Sequence, residues 1–588
     1  MRLLLTTFLL AACFGLQAQT AITNVQGRKT TSLNGNWQYL IDPEDFGNRN
    51  NGVGTERVPG DKHEFVEFSF DASATLHVPG DFNSQLPELT YYESTVWYRK
   101  QFDYTPNGQR LFLVFGAVNY RADVYLNGKK IGSHEGGFTP FQFEITALAQ
   151  AHNSIVVRVN NQRSKEGIPA AGFDWYNYGG ITRDVNLVET PASFIEDYFV
   201  QFKKGAANKV AGWVKLNGTA AAGQQVTVSV PEAGISYAAS TNDSGIALLE
   251  FPATLKPWSP DNPKRYTVRL TTGTDAIQEQ IGFRTIETDG AVVLLNRRKV
   301  FLKGVNIHEE IGAGKRRAYT QSDALYLLQH AKAMGCNFVR LTHYPHSEYM
   351  VRMADSLGVL LWEEIPAWQS IAFDSPGMQL KLSNMLREMI ARDKNRSSII
   401  IWSLSNETTP GPARDGALVQ LALLARSLDS TRLIASAFNH VRFSHTTVHI
   451  SDTVSKYLDV IGVNEYLGWY KPWEAPGAAY KWTSDFNKPL IMSEFGAEAL
   501  AGHHGSADTA NNWTEEYQEE VYKQQLAMFK NIPFLAGTCP WVLFDFRSPR
   551  RMQSQYQRGW NRKGLLSEKG EKKKAWYIVK RYYDTMGK

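Results

Sequence analysis

Apolar and polar residues alternate in short runs over the first third of the chain. Val96-Trp97-Tyr98-Arg99-Lys100, residues 110–116, Ala122-Asp123-Val124-Tyr125-Leu126 and residues 155–159 each read as a half-buried strand. Asn127-Gly128 and Gly136-Gly137 supply turn chemistry between such runs. Residues 20–190 are therefore predicted to form a β-sandwich of jelly-roll type. A second strand-rich stretch, 191–286, has runs at 212–216, 225–230 and 266–270, and its length suits an immunoglobulin-like sandwich. The texture changes at Val300-Phe301-Leu302-Lys303-Gly304-Val305. From there short apolar runs at 301–305, 337–341, 359–362, 399–404, 433–436, 460–463, 490–492 and 535–542 alternate with helical patterns such as 322–334, 379–393 and 514–530. Eight such strands close a (β/α)8 barrel over 287–588. An open doubly wound sheet is the competing architecture, and no Gly-rich dinucleotide turn supports it.

Two of the barrel strands end in a glutamate. Ile399-Ile400-Ile401-Trp402-Ser403-Leu404 runs into Ser405-Asn406-Glu407, and Pro489-Leu490-Ile491-Met492 runs into Ser493-Glu494-Phe495-Gly496. Residues at the C-terminal ends of barrel strands converge on one mouth. Two carboxylates brought together there are what cleavage of a glycosidic bond requires. The bland alternative is that each glutamate caps the helix that follows.

Composition narrows this picture only a little. A chain of 588 residues exceeds one ordinary core, and its formal charge of +5 comes without a basic arm or nucleic-acid motif. Met1-Arg2 precedes a short apolar run, 3–12, and Gln17-Ala18-Gln19 offers a cleavage zone, so residues 1–19 are predicted to be a signal peptide. Export to the periplasm of a Gram-negative bacterium follows. Leu10-Ala11-Ala12-Cys13 also resembles a lipoprotein box, making lipid attachment at Cys13 the alternative, against which bulky Phe14 argues. Cys336 and Cys539 lie in apolar segments and read as buried free thiols. No later apolar run is long enough for a membrane helix.

Five ordered motifs carry a family resemblance: Gly304-Val305-Asn306-Ile307-His308-Glu309, Asn337 through Pro345, Arg392-Asp393-Lys394-Asn395-Arg396, Ser405-Asn406-Glu407 and Ser493-Glu494-Phe495-Gly496. Together they resemble glycoside hydrolase family 2, and the likeness extends into the jelly roll at 122–128 and 134–140. Within the family the chain is most similar to the β-glucuronidases. Phe173-Asp174-Trp175-Tyr176-Asn177-Tyr178-Gly179-Gly180-Ile181 resembles their jelly-roll segment, which brings an aspartate to the barrel mouth. Asn464-Glu465-Tyr466-Leu467-Gly468-Trp469-Tyr470 resembles their sixth-strand motif, and Asn561-Arg562-Lys563 their Asn-x-Lys signature. Two departures stand out: Glu465 replaces the usual residue, and Arg558 lies one position nearer Asn561 than in the family. Because β-galactosidases can carry Asn-Asp-Lys, this signature alone does not decide the sugar.

The resemblance implies a retaining exo-acting enzyme with Glu494 as nucleophile and Glu407 as general acid/base. It implies that Arg340 orients the nucleophile, Tyr466 donates to it and Asn406 bonds the sugar 2-hydroxyl. Asp174, His308, His343, Tyr470, Trp541 and Arg558 would line the sugar subsite, and Asn561 and Lys563 would hold a uronate carboxylate. A buried lysine needs an anionic partner, and a uronate would supply one. In a retaining enzyme the carboxyl groups lie about 5–5.5 Å apart. At that separation repulsion of roughly 3 kcal/mol would help keep Glu407 protonated. No cofactor is expected. A zinc site is the rival reading of His308 and His343, but no His-x-x-x-His or cysteine cluster completes one. The expected partner is a carbohydrate, with no nucleic acid, no membrane span and a homo-oligomer left open. β-Galactosidase and β-galacturonidase remain alternative activities, and a non-catalytic carbohydrate-binding protein is the rival from another class. The short chain between Pro366 and Arg392 predicts an open cleft.

Overall fold

The computed structural model describes residues 18–49 and 52–586. The predicted leader, apart from Ala18 and Gln19, and Cys13 lie outside the described residues. In the N-terminal domain a five-stranded and a six-stranded antiparallel sheet face each other. Their inner faces meet in a core that includes Trp37, Tyr98, Phe115 and Phe141. The strand Thr75–Val78 shows the cause: its residues are alternately exposed and buried, the period of a pleated strand. A three-stranded and a four-stranded sheet make the middle domain, and alternate residues of Gln225–Val230 (Val226, Val228, Val230) fill its core.

The remainder is a closed parallel barrel. Its strands are β1 (Leu302–Lys303 and Asn306–His308), β2 (Phe338–Thr342), β3 (Leu360–Glu364), β4 (Ile399–Asn406), β5 (Leu433–Phe438), β6 (Val460–Asn464), β7 (Leu490–Glu494) and β8 (Leu535–Thr538). The sheet closes through β1, which is split in two: Leu302 pairs with Gly537 of β8, and Asn306 pairs with Arg340 of β2. The break falls at Gly304, where the wall is tightest. A Cβ there would sit 2.5 Å from the Cys539 sulfur, so only glycine fits. β8 is shorter than predicted because Pro540 cannot continue the ladder. β4 and β7 are buried along their whole lengths, as strands covered on both faces must be. Cys336 and Cys539 are buried and unbridged. Among the described residues no helix is long and apolar enough to cross a membrane.

Two of the sequence motifs fasten the domains to one another. Glu309, next to the mouth residue His308, accepts from Arg183 of the jelly roll (3.2 Å) and Arg317 of the barrel (2.7 Å). Burial alone would raise the Glu309 carboxyl, but the two guanidinium groups hold it down at about 2. The Arg392–Arg396 motif docks the middle domain. Asn395 bonds the backbone of Tyr198 and Val200 (2.9 and 3.0 Å), and Arg396 pairs with Glu279 (2.8 Å) beside Arg352.

Breaking one partner of a buried pair costs about 3–5 kcal/mol, because a charge is left uncompensated. Glu279→Ala is therefore expected to lower the urea midpoint and Tm of the intact protein by that equivalent. Burial pushes the Glu279 carboxyl up, yet Arg396 and Arg352 more than reverse this and bring it to about 2. Its contribution is then complete above the ordinary carboxylate range and is lost as pH falls toward about 2. Melting curves of wild type and variant should converge over that window. Parallel curves would show that the docking pair contributes nothing.

Candidate active site

Glu407 follows directly on β4. It leaves the strand in a left-handed conformation with φ of 53°, strained for a non-glycine residue. Its N–H bonds the Ala437 carbonyl of β5 at 2.8 Å. The chain after β3, residues 365–377, is pinned to the end of β4: Asn406 N–H donates to Ala367, and Gln369 N–H to Asn406 (2.9 and 2.8 Å). This places the Gln369 amide on Glu407 Oε2 at 2.9 Å, while Asn464 at the end of β6 donates to Oε1 at 2.8 Å. Burial first, and the Glu494 charge second, push the Glu407 carboxyl up to about 7. Neighbouring charge alone, the cause expected from the sequence, is thus the smaller part.

Glu494, the last residue of β7, lies in a different environment. Arg340 Nη1 donates to its Oε1 (2.8 Å) and the Tyr466 hydroxyl to its Oε2 (2.7 Å). Arg340 is wholly buried and spends its other donors on Glu364 (3.0 and 3.2 Å), Asn306 (3.1 Å) and Asn406 (2.7 Å). Burial would weaken its charge, but Glu364 and Glu494 raise its pKa above the usual value. One carboxylate is therefore held by a fixed cation, while the other receives two neutral amides. Such divided environments separate an acid from a nucleophile.

Asn406 receives Arg340 and Asn464 on its oxygen, and its buried amide nitrogen has no partner among the described residues. That donor is left for a ligand. His343 bonds Glu364 through Nδ1 (2.7 Å) and stacks on Trp541 with ring centres 4.9 Å apart. His308 contacts Tyr344 through Nδ1 (3.3 Å), and its Nε2 is buried without a partner. Burial, then the nearby His343, keep His308 well below the usual histidine value, so it is neutral.

A cavity of about 570 Å³ collects these groups. Asp174, His308, His343, Asn406, Glu407, Tyr466, Tyr470, Glu494, Trp541, Asn561 and Lys563 all line it, and Arg340 lies beneath it. Asp174 reaches in from the jelly roll and pairs with Arg551, whose Nε lies 3.1 Å away. Burial opposes the Asp174 charge, but Arg551 outweighs it and lowers the pKa.

Two expectations need correction. Arg558 does not enter the cavity: its Nε bonds the Ser554 carbonyl (3.0 Å), and the side chain faces another groove. Arg551 lines the cavity instead. Nor is Lys563 short of an anion. Its Nζ lies 3.0 Å from Glu498, a buried carboxylate four residues beyond Glu494. Burial is the largest influence and lowers the Lys563 pKa, but Glu498 and then Tyr470 together raise it above the usual lysine value.

Sequence reasoning also missed Glu364, Gln369, Asn464 and Glu498. Glu364 and Asn464 had a signal, since each ends a barrel strand. Gln369 and Arg551 sit on irregular chain, where no period marks them.

A closed parallel barrel with two unlike carboxylates at one mouth defines a glycoside hydrolase. Family comparison agrees over nearly the whole described chain: residues 286–587 match the glycosyl hydrolases family 2 TIM barrel domain, 30–191 its sugar binding domain, and 193–284 the third family 2 description. The chain belongs to glycosyl hydrolases family 2. It is 27% identical to a β-glucuronidase of Paenibacillus borealis over 95% of this chain and 98% of that one. The structure of Bifidobacterium dentium β-glucuronidase complexed with coumarin-3-O-glucuronide superposes with a TM-score of 0.84 at 25% identity, covering 97% of this chain and 99% of that one. A family 2 β-galacturonidase of Eisenbergiella tayi bound to galacturonate shares the fold, with a TM-score of 0.79 at 24% identity over 97% and 99% of the two chains.

Proposed function

We propose that this chain is an exported, periplasmic, retaining exo-β-glucuronidase that removes terminal glucuronosyl residues from glycans or glucuronides. The observation that carries the reading is one cavity holding Glu407, whose carboxyl is pushed up to about 7, and Glu494, which is paired with Arg340, with Asn561, Lys563 and Arg551 on its lining. The Paenibacillus borealis relative and the Bifidobacterium dentium neighbour, both named β-glucuronidases, support it.

In this mechanism protonated Glu407 gives its proton to the leaving oxygen as Glu494 attacks the anomeric carbon. Glu494 loses its charge in the covalent glycosyl-enzyme, so Glu407 loses one of the two influences that raise it. It then accepts a proton from the water that attacks the same carbon, and the configuration is retained. Arg340 and Tyr466 donate to the two oxygens of the nucleophile and hold it aimed. The free amide of Asn406 is available to the sugar 2-hydroxyl, a contact that strengthens in the transition state.

A panel of nitrophenyl β-glycosides tests the sugar. The expected order places the glucuronide above the galacturonide and the galactoside by about tenfold or more in kcat/KM. Preference for the galactoside would overturn the uronate reading, and preference for the galacturonide would reassign the sugar but leave the anion. NMR of the first-formed product should show the β anomer.

A further inference from the structure

The antiparallel ribbon that carries Asn561 to the catalytic cavity has a second face. Phe546 pairs with Asn561, and Arg547 with Trp560. Alternate residues of a strand face opposite ways. Asn561 lines the cavity, and Phe546 packs on His308 with ring centres 4.2 Å apart. Arg547 and Trp560 instead line a separate groove of about 850 Å³. The jelly-roll segment divides the same way: Asp174 and Trp175 line the cavity, and Tyr176 lines the groove. One wall, two residues thick in sequence, separates the two sites.

The groove has a definite chemistry. Its cations are Lys315, Arg547 and Arg558, and no aspartate or glutamate lines it. None of the three forms an ion pair among the described residues; Arg547 and Arg558 use one side-chain donor each on a backbone carbonyl. The Arg547 guanidinium lies 3.5 Å from the centre of the Tyr176 ring, so an aromatic face supports it alongside the charge of the buried Glu310. The Tyr176 hydroxyl is buried and makes no hydrogen bond. Tyr91 stands 65% exposed at the groove, its ring centre 6.2 Å from that of Tyr176. Unpaired guanidinium groups favour a planar or tetrahedral oxyanion, and exposed aromatic faces favour the C–H face of a pyranose.

We propose that this groove is a second site for an acidic saccharide, binding a sugar that carries a carboxylate or a sulfate ester. That the anion is borne by a sugar rests on the function proposed above. The ligand would lie beside the catalytic cavity, on the far side of the shared wall, outside the unit being cleaved.

The test is calorimetric titration of full-length protein carrying Glu494→Gln, so that nothing turns over. The probes are chondroitin hexasaccharides with and without sulfate esters, and neutral cellohexaose. At least one acidic hexasaccharide should bind, and the difference between them assigns the anion. The triple variant Tyr91→Ala/Lys315→Ala/Arg558→Ala, all exposed side chains outside the cavity, should weaken that binding by about tenfold or more. In the otherwise wild-type chain the same triple change should leave kcat/KM for nitrophenyl β-glucuronide within about twofold. Equal binding by the triple variant or by cellohexaose would overturn the site. If wild type fails to hydrolyse the glucuronide yet binding remains sensitive to the triple change, the catalytic reading fails and the groove stands.

Discussion

Glu494→Gln is expected to abolish turnover, lowering kcat by about 10⁴-fold or more while the protein stays folded. The amide keeps the shape of the carboxylate: its oxygen can accept from Arg340, which reaches Oε1 at 2.8 Å, and its NH2 can donate to the Tyr466 hydroxyl, which lies 2.7 Å from Oε2. It cannot form the glycosyl ester. Glu407→Ala removes a different part of the reaction. Substrates with poor leaving groups should suffer most, because they need the proton, and azide should partly restore turnover of nitrophenyl substrates by attacking the glycosyl-enzyme without base assistance. Full activity in the Glu494 variant, measured with the most active glycoside, would remove the assignment.

The same assignment dictates the pH profile. With Glu407 raised to about 7, the acid form is populated below that value and lost above it. For unactivated substrates kcat/KM should therefore fall tenfold per pH unit on the alkaline side, starting near pH 7. Burial, which does not depend on Glu494, is the larger cause of the raised value. Glu407 should therefore remain above the ordinary carboxylate range even in the glycosyl-enzyme, and deglycosylation should slow at acid pH. An alkaline limb that survives Glu407→Ala would assign it to another group.

Much of the barrel was legible because parallel strands buried on both faces must be nearly continuous apolar runs, and Ile399 through Leu404 is one. The position of a glutamate just past such a run is a topological fact, which is why Glu407 and Glu494 could be read as neighbours without knowledge of any helix. The limits were equally physical. β1 was read as a single run through Gly304, whereas its first half pairs with β8 and its second with β2, and the strand breaks between them. Arg558 and Arg551 look alike in a stretch of bases. What separates them is the path of irregular chain between Ser548 and Gly559, joined by a backbone hydrogen bond of 2.8 Å, and no periodicity encodes such a path. Glu498 was missed because a carboxylate opposite Lys563 is visible only once both are folded against each other.

That last omission changes what Lys563→Ala will mean. If Lys563 meets a uronate carboxylate, the variant should lose about 10²-fold or more in kcat/KM on a glucuronide and little on any residual galactosidase activity. Yet Lys563 also neutralises Glu498, which is buried and whose same oxygen, Oε1, lies 3.5 Å from Arg551. Removing the lysine leaves that carboxylate undercompensated, so some loss of stability is expected whatever the substrate. The two roles separate in the double variant Lys563→Ala/Glu498→Gln. Deleting both charges restores the local balance, and the melting temperature should recover toward wild type. A lysine that acts on the sugar cannot be replaced in this way, and the glucuronide defect should persist in the double variant. A lysine that only holds Glu498 in place predicts recovery of both. Asp174→Ala supplies the matching test from the other domain, since it releases Arg551, which it holds with Nε at 3.1 Å. Glucuronide kcat/KM should fall there too, and it should fall more than activity on the galactoside, because only the uronate presents a charge that Arg551 can answer.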